Sequence, residues 1–131
     1  MNNVLERFEK LGCNSPYWTE FRYHRRRTQS VSVQKGLVKQ LKSSLIEGTG
    51  IRVLVDGAWG FSSTSENTPQ ALEKALKKAI ECATSLSQMK KAKVSKLPAA
   101  NLARGVFKLE GYDELQKMSL EEKLKSTLST E

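Results

Sequence analysis

Histidine is nearly missing from this sequence: His24 is the only one in 131 residues, and there are only two cysteines, Cys13 and Cys82, and three prolines. A single imidazole on a strand among arginines, with no second ligand beside it, supplies no metal set, and it reads as a solvated strand residue. Two cysteines far apart in sequence give no disulfide framework of the secreted kind, so two buried or semi-buried thiols are expected. No stretch approaches the roughly 20 apolar residues that span a bilayer. The opening MNNVLERFEK is charged where a secretory signal would be apolar, so the cytoplasm is the expected compartment, with no membrane partner. Acids are scarce through the middle: between Glu20 and Leu45 stand Arg22, Arg25, Arg26, Arg27, Lys35, Lys39 and Lys42, with no acid after Glu20.

What is present is a basic chain of net charge +8, 38% hydrophobic, with an acidic end in which Glu110, Asp113, Glu114, Glu121, Glu122 and Glu131 outnumber the lysines. A basic body attracts anions without selecting among them. Val4, Leu5, Phe8 and Leu11 fall at helical spacing, and Gly12 is expected to close that helix in a left-handed conformation. From Tyr17 the period drops to two, with Phe21 and Tyr23 and then Val31 and Val33 on one side, which predicts a long strand ending at the turn Lys35-Gly36. Residues 37–45 read as the returning strand, at an edge or facing solvent. Gly48-Thr49-Gly50 is read as a further reversal before the strand Ile51, Val53, Val55. Asp56-Gly57 then predicts a tight hairpin into residues 58–63, where Gly60 signals a bulge or a close neighbour.

Thr68-Pro69 opens the clearest helix, with Thr as N-cap and Pro at the first helical position. Leu72, Ala75, Leu76, Ala79, Ile80, Ala83 and Leu86 form its apolar stripe, and the many alanines place it close to a sheet. Ser119 and Glu122 form a capping box ahead of Leu120, Leu124 and Leu128. The expected fold is therefore α+β: an antiparallel meander of about four strands with an amphipathic helix on one face, a short N-terminal helix and an extended C-terminal arm. The expected division is 1–88 for the α/β domain, 89–118 for a basic linker or arm, and 119–131 for the start of a further helix.

Four features invite sharper readings. Arg25-Arg26-Arg27 could clamp phosphate or a carboxylate. On a strand, however, the run splits, with Arg25 and Arg27 on one face, and a solubilising or inter-domain face is the plainer reading. Trp59 and Phe61 flank Gly60 on a shared face, which suggests core or dimer packing, or the lining of a peptide channel. Gly48 and Gly50 join two strands and open no helix, so they are turn residues and not a phosphate loop. Lys90, Lys91, Lys93 and Lys96 lack the interleaved aromatics of a single-strand binder, so nucleic acid is the disfavoured partner.

The run RRRTQSVSVQKG at 25–36, then GTGIRVLVDGAWGFSST at 48–64, TPQALEKALKKAIECA at 68–83 and KMSLEEK at 117–123 resemble, in this order, the N-terminal domain of the TldD/PmbA family. The resemblance implies a soluble, dimeric, cytoplasmic metallopeptidase, a family also described as modulators of DNA gyrase and associated with processing small peptides and antitoxins. It implies zinc held by a His-Glu-x-x-x-His motif and a downstream Cys. No position here matches that motif, so the resemblance assigns no catalytic or metal residue and no cofactor to this chain. The implied partners are a catalytic domain, a second family subunit in a homo- or heterodimer, and a peptide substrate. Arg25, Arg27, Trp59 and Phe61 are the candidate contacts. The function so implied is that of a non-catalytic N-terminal module contributing to dimerisation and substrate access. The alternative is a stand-alone interaction or regulatory protein pairing with a full-length member, or a basic nucleic-acid-binding module.

Overall fold

The computed structural model describes residues 2–89, 91–95, 97–99 and 105–130, so Lys90 and Lys96 of the lysine cluster lie outside the described residues. The elements run α1 (Asn2–Cys13), β1 (Trp18–Gln34), β2 (Leu37–Val55), β3 (Ala58–Thr64), α2 (Pro69–Met89), α3 (Tyr112–Lys117) and α4 (Leu120–Ser129). The three strands form one sheet in the order β1-β2-β3, and β2 pairs antiparallel with β3 in the register Val53↔Gly60. Chain contacts divide the molecule into two compact units, residues 1–25 with 46–98, and residues 26–45 with 99–131.

The sheet has three strands where the sequence predicts about four. Gly48 and Gly50 do not turn: both lie inside β2, and the positive-φ glycines are Gly36, Gly57 and Gly111. The two expected strands are one strand of 19 residues. The reversals that do occur are the two-residue turns Lys35-Gly36 and Asp56-Gly57. All four residues have positive φ, the geometry that matches the natural twist of a hairpin. Gly12, expected to close α1, instead lies within it. Both cysteines are free, as expected, but exposed, and not the buried or semi-buried thiols expected.

In the first unit, one face of the sheet packs on α2. Ile51, Val53 and Val55 of β2 pack in one cluster with Ala75, Leu76, Ala79 and Ala83 of α2, and Thr49, Ala58 and Leu72 are buried as well. Burying each Ile, Val or Leu of this set contributes about 1.5–3 kcal/mol. The small residues fix the spacing. A Cβ on Gly60 would stand 2.0 Å from the Ala79 carbonyl oxygen and 2.7 Å from the Ala83 amide nitrogen, so the helix backbone rides directly on β3. The stripe stops short of its predicted end: Leu86 is exposed, and Ser87 is buried in its place. Thr68 Oγ1 accepts the Ala71 amide at 3.2 Å, the predicted N-cap bond. α1 is attached through Phe8, which stacks on Phe21 with ring centroids 4.9 Å apart.

Asn67, just ahead of α2, ties α1 and β2 together. It takes a hydrogen bond from the Arg7 guanidinium on its carbonyl, accepts from Thr49 Oγ1, and donates to Glu47 Oε1 at 3.1 Å. After α2 the chain turns back, and the Val94 amide bonds the Gly57 carbonyl at 2.9 Å, so the start of the expected basic linker is pinned to the β2–β3 turn.

The second unit is built differently. The ribbon 26–45 carries Leu37, Val38, Leu41 and Leu45 exposed, and Lys123 of α4 donates to Gln29 at 2.6 Å. The predicted capping box is formed, with the Glu122 amide on Ser119 Oγ at 3.1 Å and the Ser119 amide on Glu122 Oε2 at 2.6 Å. The short helix α3 stands within residues 89–118, expected from the sequence to be a basic linker or arm.

Candidate functional site on the open sheet face

A strand alternates its side chains, so the residues between the core positions of the first unit project from the other side of the sheet. They are Trp18, Glu20, Arg22 and His24 on β1, Gly48, Gly50 and Arg52 on β2, and Trp59, Phe61 and Ser63 on β3. Trp59 and Phe61 do share a face, as the sequence indicates, but it is this face and not the core. Phe61 is 64% exposed.

At one end of the face the residues are locked together. The Arg52 guanidinium lies 4.6 Å from the Trp59 ring centroid and 5.8 Å from that of Trp18, and the two indoles meet edge-on at 5.3 Å. Arg52 also donates to Glu20 Oε2 at 2.5 Å, while Arg22 reaches Glu20 Oε1 at 3.3 Å. An arginine placed over tryptophan gains from the negative ring face as well as from its carboxylate, which holds a flexible side chain in one position.

Beside this column the face is hollow. Gly48 and Gly50 contribute no side chains at the centre of the sheet, and a trough of about 680 Å³ opens above them. Phe61 forms one wall, with its ring 3.3 Å from where a Gly50 Cβ would stand. Glu20, Arg22 and His24 line the opposite side, and Ile46 lies toward one end. These glycines, read from sequence as turn residues, are the trough floor. The signal for it was present in the strict alternation from residue 48 through residue 54, which places both glycines on the face of Arg52.

Of the arginine candidates, Arg25 pairs with Glu47 at 3.6 Å, and Arg27 is exposed on the ribbon. Burial lifts the Tyr23 phenol above its ordinary value of 10.0, and its hydrogen bond to Glu47 and the charge of that carboxylate act in the same direction. Among the described residues no group of three or more His, Cys, Asp or Glu could hold a metal ion. The zinc site implied by the family resemblance does not fit the residues described here. Among those residues, no helix is long and apolar enough to cross a membrane.

A three-stranded antiparallel sheet with one face closed by an alanine-rich helix and the other left open defines an α+β domain. The family model described as PmbA/TldA metallopeptidase domain 1 matches residues 19–83, close to half of the chain. Residues 19–83 are a first-domain segment of the TldD/PmbA type. The crystal structure of TldE from Thermococcus kodakarensis has a similar fold, with a TM-score of 0.59 at 21% sequence identity. The likeness covers 90% of this chain and 26% of that one, so the chain spans about a quarter of the length of the solved relative. No curated protein matches.

Proposed function

We propose that this chain serves as a non-catalytic N-terminal module of a TldD/PmbA-type zinc metallopeptidase engaged in peptide processing, contributing to dimerisation and to the passage of peptides toward a metal held elsewhere. One observation carries the proposal: the family's first-domain pattern falls on a sheet whose open face bears a trough, while the described residues contain no metal set. The module positions and does not cut. In this reading zinc belongs to the catalytic half, the partners are that half and a second family subunit, and the compartment is the cytoplasm.

The test is the intact mass of the endogenous polypeptide, captured with an antibody against this domain, together with its zinc content. A mass several times that of the 131-residue chain, with bound zinc, is the expected result. A native mass equal to this chain, without zinc, would replace the proposal with a stand-alone interaction protein.

A further inference from the structure

The open face carries charge and shape that together select a ligand. Glu20 is bonded by both Arg22 and Arg52, so this cluster holds two cations against one anion. Glu47 does not offset the excess, because it is paired with Arg25. The Arg22 side chain is 80% exposed and remains accessible to a second anion. Beside this positive rim, the exposed ring of Phe61 and the glycine floor form an apolar trough. From Ile46 to Arg52 the strand advances about 20 Å, the length of about six extended residues, so the trough is elongated. Its floor is the central strand, whose backbone groups are committed to β1 and β3, and an occupant cannot be held there by adding a strand. It must be held by side chains, which makes the site selective for residue type.

We infer that this trough binds an extended acidic polypeptide segment, seating an apolar aromatic residue over Gly48 and Gly50 against Phe61 and pairing a flanking carboxylate with Arg22. The inference rests on the peptide-passage reading and adds a preference to it. Basic segments meet the excess positive charge and are disfavoured, and segments lacking a large apolar residue leave the trough wall bare.

The measurement is fluorescence anisotropy with three labelled hexapeptides on the full chain at low salt: one with Phe between two Glu, one with Phe between two Lys, and one with Ala between two Glu. The first is expected to bind tightest, by about tenfold or more over each of the others. Phe61→Ser and Arg22→Ala, both at exposed positions, are expected to keep the native circular dichroism and to weaken that binding by about tenfold. Binding of the first peptide that survives in Phe61→Ser, or no binding of any peptide, would overturn the inference. Equal affinity for the Glu- and Lys-flanked peptides, lost in Phe61→Ser, would overturn the acidic preference and leave peptide passage standing. The mass and zinc measurement decides the module reading separately.

Discussion

The tightest constraints in this molecule act on single residues without side chains. Gly60 faces the backbone of α2 with no space for a methyl group, whereas Gly50 faces the ring of Phe61, which is exposed and can swing aside. The two glycines therefore make opposite predictions. Gly60→Ala must push the helix off the sheet, and a loss of about 3 kcal/mol or more is expected, since overpacking a close-packed contact costs roughly 1–3 kcal/mol even where neighbours relax. Gly50→Ala is expected to cost under about 1 kcal/mol, because only an exposed ring must move. Urea denaturation of the two variants checks both values, and equal losses would contradict this account. The close approach at Gly60 was legible in the sequence as one of two alternatives. The trough at Gly50 was not, because a glycine pair between apolar runs reads locally as a turn, and only pairing on both sides of β2 keeps it extended.

At the scale of elements, α2 was legible almost completely. Its N-cap, its first-turn proline and most of its stripe stand as expected, because each is set by neighbours within one or two helical turns. Its C-terminal end was not: Leu86 is exposed and Ser87 takes the buried position. Leu76 is buried within the core cluster, and Leu76→Asp is expected to abolish the cooperative urea transition, because a carboxylate there has no partner. The capping box of α4 makes a pH prediction. Hydrogen bonds from the Ser119 backbone and side chain hold the Glu122 carboxyl below its ordinary 4.5. A depressed carboxylate contributes its stabilisation above the unfolded value and loses it as pH falls through the folded one. Fraying of α4 is therefore expected only below about pH 4.5, as seen by amide chemical shifts. Ser119→Ala keeps the backbone bond and removes the side-chain one, so it should return the Glu122 titration part of the way toward its ordinary value, and an unchanged titration would refute the side-chain contribution.

At the scale of the whole molecule, burial is unevenly shared. Among the described residues, the buried hydrophobics all belong to the first unit, while α3 and α4 contain none and the ribbon 26–45 has no buried position. Local stability follows buried apolar contact. Amides of residues 51–55, of β3 and of residues 72–83 are thus expected to exchange with solvent at least about a hundredfold more slowly than those of 26–45 and of α4, as measured by native-state hydrogen exchange. Uniform protection along the chain would show that the ribbon shares in the core's stability. The family was legible from motif order alone. The number of strands was not, because it depends on pairing between residues distant in sequence.

In mechanical terms, the contact of Gly60 with Ala79 and Ala83 is a detent. Larger residues there would let the helix settle at several heights and rotations, like a rod on a cushion. Bare backbone against bare backbone leaves one seat, so the helix indexes the strand to a fraction of an ångström. Phe61 and Trp59, which flank that strand glycine, are aimed from the opposite face by the same stop.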